Sequence, residues 1–317
     1  MNNTLGQSDV KTSFQPPNPH MPHQLPIHFS KMHGAGNDYV YIDCFTEPTP
    51  EDPMALAPLI SDRHRGVGGD GLVLVLPSAI ATARMRMFNA DGSESEMCGN
   101  GVRCVAHLVV ARGYAVAGLV TIETGRGVLT LQVTRSSPQK SMVRVDMGEP
   151  LLRAVDIPVA TDAAQDAELI AAPCPALGPK KDWWEAVGLD PRMTCVSMGN
   201  PHVIFFCRET AGVPLEIIGP HLESHPLFPK RVNVHFVEVL SLDRVKMRTW
   251  ERGSGITQAC GTGASAVCVA GVLCGLTKKA ISAEVPGGLL HLEWADSGTV
   301  FMTGPAEEVF TGSWLRD

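Results

Sequence analysis

The sequence predicts an α+β protein made of two homologous halves, each combining β-strands with one apolar helix. Three observations predict this. At 317 residues the chain is about two domains long, taking roughly 150 residues per domain. It repeats itself at long range, with Cys98 in Met-Cys-Gly-Asn-Gly matching Cys260 in Ala-Cys-Gly-Thr-Gly at an offset of 162 residues. In both halves that cysteine opens an apolar run flanked by strand-like segments.

The repeat extends over three collinear blocks. At the offset of 162, Arg86 falls on Arg248, Phe88 on Trp250, Ser93 on Gly255 and Gly113 on Gly275. Upstream, Gly36-Asn37-Asp38-Tyr39-Val40 matches Gly199-Asn200-Pro201-His202-Val203 at 163. Downstream, Glu123 to Leu129 matches Glu284 to Leu290 at 161. A single Cys-Gly-x-Gly match could be chance, whereas three blocks at nearly constant offset indicate duplicated domains.

The elements follow in order. Leu72 to Leu76 reads as a strand, and Arg84 to Phe88 alternates like one, as does Val245 to Trp250. A Gly- and Ser-bearing loop comes next in each half. Val102 to Arg112 and Ala264 to Leu273 are apolar, helix-like and end at Gly113 and Gly275. Strand signals then return at Val120 to Ile122 and Val128 to Val133, and at Ala280-Ile281 and Leu289 to Trp294. Residues 152–190 carry little motif and read as a surface region.

Composition excludes several classes. With 33 acidic and 26 basic side chains the net charge is -7, without the basic excess of a nucleic-acid binder. Nine cysteines are too few for a disulfide scaffold; the count is odd and no C-x-x-C pair occurs, so reduced thiols and a cytoplasmic location are expected. No apolar run approaches the ~18 residues a membrane span needs. The stretch from Ala264 to Cys274 is short and interrupted by Ser265 and Gly271. Residues 1–26 lack the apolar core of a secretory signal and carry Pro16, Pro17, Pro19, Pro22 and Pro26, so a disordered leader is expected. An N-terminal domain over 27–145, with 305–317 returning to it, and a C-terminal domain over 146–304 complete the expected organisation.

The chemistry centres on Cys98 and Cys260. A cysteine at a helix N-terminus is expected to have a depressed pKa, because unpaired N–H groups and the helix dipole favour thiolate. Adjacent glycines let a ligand approach the backbone, and the same N–H groups bind a carboxylate. If the halves pack about a pseudo-twofold axis, two such sites face one another. One thiolate then removes an α-proton while the opposite thiol delivers one, and the two helix ends stabilise the charge spread onto the carboxylate. Cys104, Cys268 and Cys274 lie within or at the end of the apolar helices and read as small core hydrophobes. Cys44, Cys174, Cys195 and Cys207 show no motif. His20, His23, His28 and His33 fit no common zinc spacing. Gly66-Val67-Gly68-Gly69-Asp70-Gly71 has the G-x-G-x-x-G form but precedes a strand rather than following one, the wrong order for a dinucleotide turn.

These residues resemble the diaminopimelate epimerase family. The resemblance rests on Phe29 to Asp38, Phe88 to Glu94, Cys98 to Gly101, Ser197 to His202, Arg231-Val232-Asn233, Glu251-Arg252-Gly253 and Gln258 to Gly263, in order, from about residue 27 to the C-terminus. It implies two domains, each a β-barrel-like sheet around a central helix. It implies interconversion of LL- and meso-2,6-diaminopimelate, in lysine and peptidoglycan biosynthesis, with no cofactor and no metal. By the same resemblance Cys98 and Cys260 transfer the protons, supported by His202 and Glu251. Gly99, Asn100, Gly261 and Thr262 contact the reacting carboxylate, while Asn37, Asn89, Asn200, Asn233, Glu251 and Arg252 hold the rest of the substrate. The expected partner is this small molecule, not nucleic acid or membrane, with a homodimer as a candidate assembly.

Two departures stand out. The family commonly has Gln where this chain has Gly71, and Glu where it has Ile256. A proline racemase-like enzyme would usually carry His where Asn100 stands, and a phenazine-biosynthesis-like isomerase would lack both cysteines. An amino-acid-binding protein without catalysis would need no thiol pair.

Overall fold

The structure is a computed structural model describing residues 26–95, 99–161, 164 and 166–315. The expected leader, Pro26 apart, lies outside the described residues, as does Cys98.

The first half contains β1 (Ile27–Gly34), β2 (Asn37–Asp43), helix α1 (Pro53–Ser61), β3 (Gly71–Leu76), β4 (Ala83–Asn89), β5 (Glu94–Ser95), helix α2 (Gly99–Ala111), β6 (Gly118–Thr124), β7 (Gly127–Arg135) and β8 (Lys140–Asp146). The second contains β9 (Ala172–Pro173), helix α3 (Asp182–Val187), β10 (Arg192–Ser197), β11 (Pro201–Cys207), helix α4 (Leu215–Glu223), β12 (Asn233–Ser241), β13 (Arg244–Glu251), β14 (Gly255–Ile256), helix α5 (Gly261–Leu273), β15 (Ala280–Val285), β16 (Gly288–Trp294) and β17 (Val300–Trp314).

Pairing in the first half runs β1–β2–β3–β4–β6–β7–β8–β17 and back to β1, a closed barrel. The second runs β10–β11–β12–β13–β15–β16–β17. It is completed by residues 147–151, which bond Val300 on one side and Ser197 on the other. The chain therefore crosses between the barrels twice, and β17 pairs with β16 near Val300 and with β1 near its far end.

Strand alternation decides which side chains face each barrel interior. In β4, Ala83, Met85 and Met87 point inward and Arg84 outward; in β7, Leu131 and Val133 are buried while Thr130, Gln132 and Thr134 are exposed. Inside each barrel runs one helix. Every residue of α2 from Asn100 to Val110 is buried, and so is α5 from Gly263 to Gly271. A helix apolar on all sides needs such full enclosure. Each wholly buried Val or Leu there, such as Val105, Leu108 and Val269, stabilises by about 1.5–3 kcal/mol relative to exposure.

Residues 152–190, read above as a surface region, are mostly exposed or half-buried, but a few of their side chains are buried. Ala154, Ile157, Leu169, Leu177 and Val187 join Phe205, Phe236 and Leu222 in a second apolar cluster outside the second barrel. Their hydrophobic residues are scattered without period, so the sequence pattern did not reveal them.

The halves meet through matched turns. A β-carbon on Gly287 would stand 1.9 Å from the Ala35 carbonyl oxygen, so only glycine fits there. In the other direction Arg126, at the repeat-equivalent place, donates to the Gly199 carbonyl at 3.5 Å.

Candidate active site

The N-termini of α2 and α5 converge on Met302 of β17. A β-carbon on Gly99 would stand 3.4 Å from Met302 Cε, and one on Gly261 would stand 2.9 Å from Met302 Sδ. Asn100 ties the helix starts together by donating from Nδ2 to the Ala259 carbonyl at 2.8 Å. Its Oδ1 accepts from Arg103 Nη2 at 2.9 Å, and fully buried Arg103 also donates to the Pro305 and Gly99 carbonyls. Asn37 accepts from Asn100 at 3.3 Å and donates to Asp70 Oδ2 at 2.8 Å.

Cys260 caps α5 in an extended conformation and is 5 % exposed. The Glu251 carboxylate and the Gly263 N–H stand near enough to Sγ to act on its charge. Thr262 Oγ1 lies 3.7 Å from Sγ. Glu251 Oε1 accepts from Thr257 at 2.5 Å. A side chain at position 263 is impossible without rearrangement, since its β-carbon would fall 2.3 Å from His235 Cε1 and 3.0 Å from Cys260 Sγ.

The electrostatics correct one expectation. The helix terminus was expected to depress the cysteine pKa, yet burial pushes the Cys260 thiol well above its ordinary value, and the Glu251 charge adds to this. The Gly263 N–H and the Thr262 hydroxyl pull the other way and are outweighed. Desolvation disfavours the charged form more than one helix end favours it when the site is closed. Burial also raises the Glu251 carboxyl, so the pair can share one proton.

His202 is fully buried, with Nδ1 2.9 Å from His235 Nε2 and Nε2 3.0 Å from Asn200 Oδ1. Burial holds it neutral, well below the ordinary imidazole range. Asn200 Nδ2 donates to Thr262 Oγ1 at 3.3 Å. Asn233 donates to the Pro201 carbonyl at 2.8 Å and accepts from the Arg252 backbone N–H at 3.0 Å. The Arg252 guanidinium donates to the Lys230 carbonyl at 2.9 Å and makes no ion pair among the described residues. Burial first, then the nearby Arg231 and Arg126 charges, make its own charge less favourable.

The structure thus gathers Asn37, Gly99, Asn100, Asn200, His202, Asn233, Glu251, Arg252, Cys260, Gly261 and Thr262. Asn89 bonds locally, donating to Ser93 Oγ at 2.9 Å, although the next residue, Ala90, donates its N–H to the Asp70 carbonyl. Gly71 faces the Phe88 carbonyl, where a β-carbon would stand 2.1 Å away, so no side chain can occupy that place. Ile256 is 40 % exposed in β14. The Gly66 to Gly71 run connects α1 to β3 and opens no helix. His20 and His23 lie outside the described residues; His28 pairs with Ser313 and His33 with Glu307. Sequence reasoning missed Asp70, His235, Thr249 and Arg103. An aspartate amid four glycines was the available signal for Asp70. For the other three, which sit within apolar strand and helix patterns, there was none.

The profile of the diaminopimelate epimerase family matches residues 29–152 and 194–309. A diaminopimelate epimerase from Acetivibrio thermocellus is 47% identical over 287 residues, covering 90% of this chain and 98% of that one. One from Pelotomaculum thermopropionicum is 46% identical over 289 residues, covering 91% and 99%. Among solved structures, a phenazine biosynthesis protein of the PhzF family from Bacillus anthracis superposes with a TM-score of 0.66 at 16% identity, over 92% of this chain and all of that one. A hydroxyproline epimerase from Agrobacterium vitis gives 0.59 at 14% identity, over 92% of each chain. These two share the fold. By sequence, this chain belongs to the diaminopimelate epimerase family.

Proposed function

We propose that this chain inverts the α-carbon of an amino acid between two thiols, Cys260 on one face and Cys98 on the other. The chain is an isomerase, a diaminopimelate epimerase interconverting the LL and meso forms of 2,6-diaminopimelate. The observation that carries the mechanism is the convergence of the two helix N-termini on Met302, with Cys260 at one of them.

The chemistry follows from the parts. The substrate carboxylate takes the N–H groups at the starts of α2 and α5, where anions are favoured. A thiolate takes the α-proton: the C–H bond breaks, an S–H bond forms, and the electron pair moves into the carboxylate as an enediolate. The helix ends stabilise that charge as it develops. The opposite thiol then gives its proton to the other face, closing a balanced exchange with no net oxidation. Glu251 accepts the Cys260 proton before proton abstraction, as the carboxylate whose charge acts on that thiol. His202 and Asn200 hold Thr262 beside the sulfur. Arg252, without an acidic partner among the described residues and crowded by two other guanidiniums, suits the distal carboxylate of the substrate.

Cys260, His202, Asn233 and Asn100 are all at most 5 % exposed. The reading needs no cofactor, because the helix ends act as the electron sink. All eight described cysteines are free, which suits a cytoplasmic enzyme. No described helix is long and apolar enough to cross a membrane. The ligand is a small molecule, and a homodimer remains the candidate assembly. The test is conversion of LL-diaminopimelate to the meso isomer by purified protein, followed by chiral chromatography. Folded protein that produces no meso isomer would refute the reading.

A further inference from the structure

We infer that His235 and Thr249 are positioning residues that fix the tautomer of His202 and, through Asn200 and Thr262, aim a hydroxyl proton at Cys260 Sγ. The inference builds on the proton-transfer role proposed for Cys260, and its test is arranged to stand apart from activity.

Six side chains form one continuous chain. Thr249 Oγ1 lies 2.9 Å from His235 Nδ1, and His235 Nε2 lies 2.9 Å from His202 Nδ1. His202 Nε2 lies 3.0 Å from Asn200 Oδ1, Asn200 Nδ2 lies 3.3 Å from Thr262 Oγ1, and Thr262 Oγ1 lies 3.7 Å from Cys260 Sγ. His202 and His235 are wholly buried and Thr249 is 4 % exposed.

The direction of every bond follows from the Asn200 amide, whose Nδ2 can only donate and whose Oδ1 can only accept. Thr262 Oγ1 accepts from Nδ2, which leaves its own proton to point at Cys260 Sγ. Asn200 Oδ1 then accepts from His202 Nε2–H, which leaves His202 Nδ1 bare. His235 must fill that lone pair with its Nε2–H, and its own bare Nδ1 accepts from the Thr249 hydroxyl. A neutral imidazole has one donor and one acceptor nitrogen, so each ring can serve this chain in a single tautomer only. The reverse sense would set a bare His202 Nε2 against Asn200 Oδ1, two acceptors facing each other.

The fold does not require these polar groups. His235 and Thr249 face each other across β12 and β13. At the repeat offset the corresponding cross-strand pair in the first barrel is Val73 and Met87, both buried and apolar. Burying an imidazole and a hydroxyl in place of such a pair costs stability unless every polar group is satisfied. The second barrel carries that cost on the side of Cys260.

The test is the tautomeric state of both rings in the full-length protein, read from two-bond hydrogen–nitrogen correlations after 15N labelling of histidine. The expected result is the Nε2–H form for both His202 and His235, whether or not the protein turns over diaminopimelate. His235→Phe should remove one set of signals, release His202 from its single tautomer and lower kcat at least tenfold. His235→Gln, which keeps an N–H near the Nε2 position, should restore the His202 pattern and most of kcat. An Nδ1–H form on either ring in the unaltered protein would overturn the inference. So would His235→Phe with the His202 signals and kcat unchanged. Should that variant fail to fold, the measurement on the unaltered protein decides alone. Loss of epimerase activity with both rings in the Nε2–H form would count against the proposed function and not against this chain of bonds.

Discussion

Asn100 donates from Nδ2 to the carbonyl of Ala259 at 2.8 Å, joining the first turn of one barrel's helix to the residue before Cys260 in the other. The same side chain meets Asn37 and Arg103, so one amide organises both halves of the site. Asn100→Ala leaves buried Arg103 and the Ala259 carbonyl short of a partner. It is expected to lower stability by about 1–3 kcal/mol, the usual cost of a buried polar group left unsatisfied. It should also cut kcat/KM by more than tenfold. Thermal unfolding with parallel kinetics measures both, and unchanged values would show that the tie is dispensable.

In the proposed scheme the thiols carry the reaction in both directions. Cys98→Ala and Cys260→Ala are each expected to abolish epimerisation, because two protons must move. Glu251→Gln should reduce turnover strongly while leaving substrate affinity within a few-fold, since it removes the acceptor for the Cys260 proton. Near-normal turnover of either alanine variant, measured from the LL and the meso side, would dismiss the two-thiol scheme.

Arg252 breaks the repeat, with Ala90 at its counterpart position. A residue that breaks symmetry is where an asymmetric substrate is read. Arg252→Lys and Arg252→Met are expected to lower kcat/KM for LL-diaminopimelate by at least ~100-fold, through loss of a charge-assisted contact worth about 1.5–3 kcal/mol and the misplacement that follows. The unaltered protein should turn over L-lysine and L-proline slowly or not at all. Efficient proline turnover would contradict this assignment.

His107 contributes to the pH dependence of stability, alongside His202 and His235, which burial shifts in the same direction. It is fully buried, with Nδ1 2.8 Å from Ser141 Oγ and Nε2 without a hydrogen-bond partner among the described residues. Burial lowers it from 6.5 to about 4. The unfolded chain therefore binds a proton that the folded one refuses, so stability is full above pH 6.5 and falls as the pH drops toward about 4. Melting temperatures across that range should fall, and His107→Leu should make the fall shallower. An equal slope for both proteins would remove His107 as a cause.

Much of this site could be read from the chain because duplication repeats a local pattern. The glycine-flanked cysteines, the strand before each and the apolar helix after each all recur, and α2 and α5 start within one or two residues of Cys98 and Cys260. β17 was less legible. It contains Gly304, Pro305 and Gly312, which argue against a strand locally, yet barrel closure and the approach of Arg103 to Gly304 hold it extended. His235 and Thr249 occupy inward positions of ordinary-looking strands, and their meeting depends on the register of β12 with β13. The expected thiol pKa failed for a related reason: burial of Cys260 is a tertiary property that the helix-end pattern does not contain.

The most direct test of the two-thiol account is incubation of the purified protein with LL-diaminopimelate in D2O, with the α-hydrogens followed by proton NMR. The account predicts that the α-proton signal decays, that deuterium enters at the α-carbon being inverted, and that meso isomer accumulates until the two forms reach equilibrium. Folded protein that binds the substrate yet leaves its α-protons in place would contradict it.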